Sequence, residues 1–307
     1  MKKKLLITCS KLITSSALAE LESKFRVVKA DCLLTKGSLK DLMANVDIVV
    51  IGGEEVYTLE VLKAANPGLK AIFIGIQGET SFTEDALAFL SSENLFATGG
   101  GVKQVARTTF REIVNISLGK PATNGKEDEV GELSKFSVSV IGAGNIGTSL
   151  IGMLRGKCRQ LSYFNRQPKD DLAGPDIHFV PDIITAFDAD IVTLHLKLVE
   201  ETFGMVRLAH LKKIHDNGWL INNARADLVD PEDLLEYLEQ GGRALFDVFY
   251  PGAKWSVKRD SALLQIVSAS NFIFTNHTAA FSEETIQEYS RGLIDVIHKI
   301  EASSKTK

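Results

Sequence analysis

The chain has 307 residues, of which 45% are hydrophobic and 24% charged, a composition that is typical of a folded globular protein and excludes a disordered or fibrous one. The formal net charge of −4 gives no reason to expect nucleic acid or an anionic membrane as a partner. The three scattered cysteines, Cys9, Cys32 and Cys158, suggest free thiols in the cytoplasm and neither a disulfide framework nor a metal site. The apolar run at 5–7 is too short for a signal peptide, and no run approaches membrane-spanning length.

The first hundred residues alternate between strand-like and helix-like runs. Short apolar runs predict strands at 4–8, 26–29, 47–51, 70–74 and 95–97. Apolar spacing of three and four residues predicts helices at 16–24, 38–44, 57–65 and 84–90. Such alternation indicates a parallel sheet covered by helices. We expect residues 1–100 to form a small, doubly wound, flavodoxin-like domain, onto which a last helix at 282–307 packs back.

A second alternating set follows a helix predicted at 102–118 and an exposed loop at 119–131. Its strands are predicted at 137–141, 160–164, 191–195, 218–222, 244–247 and 272–276. The run Asp230-Pro231-Glu232-Asp233 is a helix start, with a cap, a proline and acids in the first turn. We therefore predict an α/β protein with two doubly wound parallel-sheet domains, the second spanning residues 101–281.

A glycine motif organises the second domain. It lies in the run 138–150, where a β-branched strand turns through Gly-x-Gly-x-x-Gly into a helix. This context is the dinucleotide-binding fingerprint, although a plain glycine turn is the alternative. We expect a Rossmann domain that binds NAD or NADP through Gly142, Gly144, Asn145, Ile146 and Gly147.

The end of the second strand of this domain bears on the choice between NAD and NADP. Domains that bind NAD usually carry an acid there, which accepts hydrogen bonds from the adenosine ribose. This chain has Asn165 and Arg166 instead, with Lys169 close behind. Arg166 could bind a 2′-phosphate, so we predict NADP, with NAD still possible. The alternative is that Arg166 stacks on adenine or points to water.

From residue 136 to 284 the sequence resembles the D-isomer-specific 2-hydroxyacid dehydrogenases. The resemblance rests on the glycine motif and on four further runs in family order, at 192–204, 221–230, 244–249 and 272–277. It implies an oxidoreductase that transfers hydride between a nicotinamide cofactor and a small 2-keto or 2-hydroxy acid. It also suggests a homodimer formed through the cofactor domain. The sequence does not identify the keto acid.

The resemblance assigns roles to particular residues. Arg225 would hold the substrate carboxylate and keto oxygen, and His277 would donate a proton to that oxygen. Backbone N–H groups of Gly52 and Gly53 would bind the substrate carboxylate. The residues expected at the cofactor are His195, Thr202, Ala224 and Asp247. Outside the motif context, Arg225 would be an ordinary structural charge, His277 a strand-end histidine and Asp247 a turn cap.

One departure from the family pattern opens a second hypothesis. The family places a glutamate about five residues beyond Asp247, where it pairs with the histidine. Gly252 occupies that position here, and no acid appears before Asp260. An unpaired imidazole loses the carboxylate that would favour its charged form, so we expect a weaker proton donor, a partner drawn from elsewhere in the chain, or lost activity. The alternative is therefore a nucleotide-binding regulatory or redox-sensing protein with weak or lost dehydrogenase activity.

Overall fold

The computed structural model describes residues 2–30, 36–52, 55–75, 82–90, 94–121, 130–250, 257–275 and 282–303. The chain divides into two compact units. The first comprises Met1–Gly101 with Phe281–Lys307, and the second comprises Val102–Ala280.

The first unit contains a five-stranded, fully parallel sheet of order β2-β1-β3-β4-β5. Its strands are β1 (Lys4–Ile7), β2 (Arg26–Lys29), β3 (Ile48–Ile51), β4 (Lys70–Phe73) and β5 (Leu95–Ala97). Its helices are α1 (Ser15–Lys24), α2 (Lys36–Met43), α3 (Leu59–Leu62), α4 (Glu84–Phe89) and the last helix of the chain, α10 (Glu283–Ser303). This order is the flavodoxin-like one, as predicted.

Alternate side chains of the central strands pack on opposite faces of this sheet, because successive residues of a strand point in opposite directions. Leu5 and Ile7 of β1 join a core that includes Leu293 and Ile297 of α10. Leu6 faces the other core, which is built with helices α2 to α4. The C-terminal helix therefore supplies part of the core of the first unit.

The second unit contains a seven-stranded parallel sheet of order β12-β11-β10-β9-β6-β7-β8. Its strands are β6 (Ser137–Ile141), β7 (Gln160–Phe164), β8 (His178–Val180), β9 (Ile191–Leu194), β10 (Trp219–Asn222), β11 (Ala244–Phe246) and β12 (Phe272–Phe274). Its helices are α5 (Val102–Ser117), α6 (Asn145–Leu154), α7 (Leu208–Leu211), α8 (Pro231–Glu239) and α9 (Val257–Ser268). Short 3-10 segments complete the unit.

Two apolar cores cover the faces of the larger sheet. On one face, Ile221 of β10 and Leu245 of β11 pack with α5 and α6. On the other face, Leu220 and Phe246 pack with α7, α8 and α9. Helix α8 begins as predicted, since the Asp230 carboxylate accepts from the N–H groups of the first turn at 3.0 and 3.4 Å.

The predicted fold class is confirmed, and the differences concern short elements. Helix α3 spans four residues where nine were predicted, and β8 was not predicted at all. Strand β8 has three residues at the sheet edge, which is too short for a periodic signal. Helices α7 and α9 were also not predicted. The exposed loop predicted at 119–131 lies largely outside the described residues.

Candidate functional site

The predicted site residues of the second unit follow five neighbouring strands. Parallel strands end at one edge of a sheet, and here β11, β10, β9, β6 and β7 lie side by side in that order. The residues that follow them are, in the same order, Asp247, 223–225, His195, 142–147 and 165–166. At about 4.8 Å per strand interval this row extends roughly 19 Å. The strand order reverses between β9 and β6, which is where doubly wound sheets bind ligands.

The three glycines of the motif meet different steric constraints. Gly142 has φ +102°, and a Cβ there would lie 2.7 Å from the carbonyl oxygen of His195. A Cβ at Gly147 would lie 2.0 Å from the carbonyl oxygen of Gly142. At Gly144, in contrast, a Cβ would meet nothing within 4 Å. Gly142 and Gly147 thus hold the turn against the sheet, while the space at Gly144 is open.

The N-terminus of α6 suits an anionic group. Gly144 is its N-cap, no side chain caps it, and its first turn contains no acid. Gly144 and Asn145 are exposed. Backbone N–H groups at an uncapped helix start, together with the helix dipole, favour a phosphate. The residues present therefore fit the pyrophosphate of a dinucleotide.

The end of β7 carries no carboxylate. The Asn165 amide donates to the Gln167 carbonyl oxygen at 2.9 Å, which closes the turn. Arg166 is exposed, and no described residue forms an ion pair with it. The Lys169 N–H donates to the Tyr163 hydroxyl at 3.0 Å, so this basic residue is held beside the same turn. Arg166 and Lys169 thus place two positive charges at this turn, ahead of Asp170 and Asp171 in the following 3-10 segment.

The turn that carries Arg225 is closed by the side chain of Asn222. The Asn222 amide donates to the Arg225 carbonyl oxygen at 2.9 Å, and its oxygen accepts from the Ala224 N–H at 3.1 Å. The Arg225 guanidinium donates to the Ala224 carbonyl oxygen at 2.7 Å and is half-buried. Burial lowers the pKa of Arg225, and the charge of Asp227 opposes that shift. A fixed guanidinium of this kind can bind a carboxylate in two-point fashion.

Sequence reasoning missed a buried acid beneath this turn. Glu112 of α5 is 7% exposed, and its carboxyl oxygen accepts from the Asn223 amide at 2.6 Å. The same amide nitrogen donates to the Thr109 hydroxyl at 2.9 Å. Burial raises the pKa of Glu112 to about 8, with the charge of Asp247 adding to the rise and the Asn223 bond opposing it. A signal existed, since an acid one turn beyond Thr109 falls on the apolar side of the predicted helix.

Asp247 links the ends of three strands. Its carboxylate is 1% exposed and accepts from the Thr275 hydroxyl at 2.5 Å, beyond β12. Its N–H donates to the Asn222 carbonyl oxygen at 3.1 Å, beyond β10. The carboxylate is thus buried at the edge where the row of site residues lies. Its expected contact with a nicotinamide amide stays a prediction.

His195 and Thr202 are held by their own loops. The His195 Nε2 lies 3.0 Å from the Thr193 hydroxyl, while its Nδ1 is shielded from solvent. Burial lowers the pKa of His195 to about 4, so its ring is neutral at pH 7. The Thr202 hydroxyl donates to the Lys197 carbonyl oxygen at 2.7 Å and accepts from the Val199 N–H at 2.8 Å. Thr202 therefore shapes the loop after β9.

The remaining predicted residues lie in the first unit or outside the described residues. Gly52 follows β3, beside β1, and a Cβ there would lie 2.4 Å from the Cβ of Cys9. Gly52 is thus required for the close approach of two strand ends. Gly53, His277 and Gly252 lie outside the described residues, and their assigned roles stay predictions.

Two further features concern the part of the chain that the structure describes. Within it, no group of three or more His, Cys, Asp or Glu residues could hold a metal ion. No helix there combines the length and the apolar character that a membrane crossing requires.

The fold and the site define a class of protein. A seven-stranded doubly wound sheet, with a glycine turn where its strand order reverses, is a Rossmann-type dinucleotide-binding unit. Comparison with known families then gives the particular one. The profile of the D-isomer specific 2-hydroxyacid dehydrogenase NAD binding domain matches residues 104–279, and the chain belongs to this family.

Individual relatives differ in how much of their length they share with this chain. A D-specific alpha-keto acid dehydrogenase of Enterococcus faecium is 31% identical over 166 residues, so the match covers 51% of this chain and only 50% of that protein. A D-lactate dehydrogenase of Lactiplantibacillus pentosus is 25% identical over 284 residues, covering 83% of this chain and 82% of the relative. Among solved structures, the NAD complex of a D-isomer specific 2-hydroxyacid dehydrogenase from Lactobacillus delbrueckii ssp. bulgaricus has a TM-score of 0.72 at 18% identity. It covers 98% of this chain and 97% of its own, and it shares the fold.

Proposed function

We propose that this protein reduces a small 2-keto acid to the D-2-hydroxy acid with NADPH, and catalyses the reverse oxidation with NADP. The observation that carries the proposal is the row of strand ends described above. The turn after β6 has open space at Gly144. Two strands away, the turn after β10 carries Arg225, whose guanidinium is held by a hydrogen bond to the Ala224 carbonyl oxygen. Family membership supports the same reaction class.

The proposed reaction divides between cofactor and protein. A bound nicotinamide supplies the hydride that adds to the carbonyl carbon of the substrate. Arg225 binds the substrate carboxylate and stabilises the negative charge that develops on the carbonyl oxygen. His277 donates a proton to that oxygen, which balances the hydride addition. The role of His277 rests on the family resemblance.

The first test is turnover and its dependence on Arg225. Full-length protein is assayed for NADPH oxidation with glyoxylate, hydroxypyruvate, pyruvate and phenylpyruvate. We expect Arg225→Ala to reduce kcat/KM by about a thousandfold or more while NADPH binding is kept, because a charged hydrogen-bonding anchor is lost. The matched control is Arg155→Ala, which removes only a surface ion pair with Asp176. Equal turnover of the two variants would refute the role of Arg225.

The preference for NADP over NAD is a separate proposal. It is supported by residues 164–169, which contain no carboxylate, and by Arg166, which is exposed and forms no ion pair with any described residue. The family description and the solved relative name NAD, so NAD is the competing cofactor. We expect NADPH to bind the wild-type protein more tightly than NADH. Arg166→Ala should weaken NADPH binding about tenfold or more and leave NADH binding nearly unchanged. Tighter binding of NADH to the wild-type protein would contradict this proposal.

The second candidate function is a nucleotide-binding regulatory or redox-sensing protein. It is favoured by Gly252, which provides no carboxylate where the family has one. The two candidates differ in turnover. Firm NADPH binding without turnover above background on the whole panel would favour the regulatory protein.

Two further properties of the whole protein are also proposed. A homodimer is suggested by family resemblance, and sedimentation equilibrium at micromolar concentration would measure it. A cytoplasmic location is suggested by the scattered cysteines, of which Cys158 is a free thiol. Fractionation of the source cells would test the location.

A further inference from the structure

A titratable side chain lies buried where the proposed reaction does not use it. Glu112 projects from α5 against the sheet of the second unit, and its carboxyl group accepts a 2.6 Å hydrogen bond from the Asn223 amide. Glu112 is 7% exposed, and the neighbouring residue of the helix, Ile113, lies in the apolar core that contains Ile221. A buried acid in such a place is costly unless it keeps its proton.

Asn223 connects this acid to the turn that carries Arg225. The Asn223 amide nitrogen has two hydrogens, and both have acceptors on α5, namely Glu112 and Thr109. On the other side of the turn, Asn222 bonds to the backbone of Ala224 and Arg225. The backbone between β10 and Arg225 is therefore fixed from within by Asn222 and from α5 by Asn223.

We propose that Glu112 is a positioning residue: it holds Asn223, and through it the turn at 222–225, so that Arg225 is set to bind a carboxylate, and its ionisation at alkaline pH disturbs this turn through repulsion from Asp247. The inference deepens the proposed function and rests on the assignment of Arg225 as the carboxylate anchor. It concerns a residue that contacts neither substrate nor cofactor.

The charges around Glu112 explain why ionisation would disturb the turn. Asp247, beyond β11, is the acid whose charge raises the pKa of Glu112, and Arg111 on the same helix lowers it. Strands β6, β10 and β11 and helix α6 contain no titratable residue. The 3-10 segment at 130–135 has Glu132 and Lys135, which pair with each other. An ionised Glu112 would thus place a second negative charge close to Asp247 in a buried site, and like charges repel strongly there.

The test compares three variants in the full-length protein. Glu112→Gln keeps an oxygen for Asn223 and has no charge at any pH. Glu112→Leu removes the acceptor, and Glu239→Gln removes one exposed glutamate of the same unit as a matched control. The probe is oxalate, a dianion with the planar two-carbon frame of a 2-keto acid, titrated calorimetrically at pH 7 and pH 9.5. The KM and kcat for the best 2-keto acid are measured at the same two pH values.

We expect oxalate binding to the wild-type protein to weaken about tenfold or more between pH 7 and pH 9.5, because Glu112 ionises with a pKa of about 8. In Glu112→Gln the change should stay below about threefold, and Glu112→Leu should bind weakly at both pH values. Glu239→Gln should follow the wild-type protein. The difference between Glu112→Gln and wild type should appear in the pH dependence of kcat/KM, since a residue that supports only the fold would not change that dependence.

Each outcome bears on one proposal. The same alkaline loss in Glu112→Gln and wild type overturns the inference, as does the absence of oxalate binding to the wild-type protein at pH 7. If Glu112→Leu does not fold, the comparison of Glu112→Gln with wild type decides alone. If oxalate binding shows the expected pH dependence but no keto acid is turned over, the proposed enzyme is refuted and the inference stands. If a keto acid is turned over but oxalate binding lacks this pH dependence, the proposed enzyme stands and the inference is refuted.

Discussion

At the scale of single residues, two glycines of helix α6 show that the same residue type can be under different steric constraints. Gly147 is excluded from carrying a side chain by the backbone oxygen of Gly142, at 2.0 Å from its ideal Cβ. Gly152 lies in the same helix, α6, and is exposed with nothing within 4 Å of its ideal Cβ. Packing therefore requires glycine at position 147, whereas it does not at position 152, five residues later.

This contrast predicts opposite effects of one substitution at two positions of α6. Gly147→Ala should lower the free energy of unfolding by about 2–3 kcal/mol, because the helix must move off the sheet. Gly152→Ala should raise it by about 0.5–1 kcal/mol, since alanine is the better helix former. Urea unfolding of both variants measures the difference. Equal effects at the two positions would show that the close contact at Gly147 is absent.

Glu112 makes the stability of the protein depend on pH. In the folded protein burial raises its pKa to about 8, above the value of 4.5 that a free glutamate has. Between these values the unfolded chain has released the proton and the folded protein has kept it. The contribution of Glu112 to stability is therefore fully present below pH 4.5 and is lost as the pH rises through the folded pKa.

We expect the free energy of unfolding of Glu112→Gln to rise relative to that of the wild-type protein between these two pKa values. The rise should approach about 1.4 kcal/mol per pH unit and level off above the folded pKa. Denaturant titrations at a series of pH values measure it, with Glu239→Gln as the variant that should show no such trend. A difference that is constant with pH would mean that Glu112 ionises normally in the folded protein.

At the scale of elements, the two ends of the strands in the larger sheet differ. The candidate site lies at the carboxyl ends of the strands, and an ionic cluster connects their amino ends. One oxygen of Asp190, just before β9, accepts from the N–H and hydroxyl of Ser137 and from Arg159 at 2.6, 2.7 and 2.9 Å. His215, before β10, lies 3.0 Å from Asp190 and 2.8 Å from Asp188. This cluster ties the starts of β6, β9 and β10 together.

The cluster predicts a loss of stability above neutral pH. Burial alone would lower the pKa of His215, but the hydrogen bonds to Asp190 and Asp188 outweigh it and the net pKa is raised. A raised pKa means that the stabilisation is fully present below the unfolded pKa and disappears as the pH rises through the folded one. His215→Asn should therefore lower Tm at pH 6 more than at pH 9. Thermal unfolding followed by circular dichroism tests this, and an equal loss of Tm at both pH values would contradict it.

At the scale of the whole molecule, the chain returns to its first unit at the end. The sequence from 102 to 280 forms the second unit without interruption, whereas the first unit needs residues from both ends of the chain. In α10, Leu293 and Ile297 are 0% and 1% exposed and lie in the core with Leu5 and Ile7 of β1. The C-terminal helix is therefore part of the folding unit formed by the N-terminus.

Truncation should separate the two units. Removal of residues 281–307 exposes the apolar face of the first sheet, so we expect that unit to unfold while the second unit stays folded. Both tryptophans, Trp219 and Trp255, belong to the second unit, so their fluorescence reports that unit alone. Far-UV circular dichroism reports both units.

By circular dichroism, we expect the unfolding transition of the first unit to move to a lower temperature or to disappear. The unfolding transition followed by tryptophan fluorescence should not change. A chain that ends at Ser303, which keeps α10 whole, is the control and should behave as wild type. Loss of the fluorescence transition in the longer truncation would show that the second unit does not fold independently.

The sequence by itself determined the features that depend on neighbours along the chain. Strand and helix alternation predicted two parallel sheets, and the positions of Gly142 and Gly147 followed from a local turn. The lack of an acid after β7 was also visible directly, since it needs only Asn165 and Arg166. These features could be predicted because side-chain periodicity and turn sterics act over a few residues.

Only the tertiary structure decided which distant residues meet. Glu112 and Asn223 are 111 positions apart, and their hydrogen bond depends on the packing of α5 against β10. The raised pKa of Glu112 follows from burial and from Asp247, neither of which a local pattern reveals. The last helix was expected to pack onto the first domain, but its particular contacts with Leu5 and Ile7 of β1 are equally non-local. Burial and charge fields are sums over neighbours in space, and those neighbours are set by the fold as a whole.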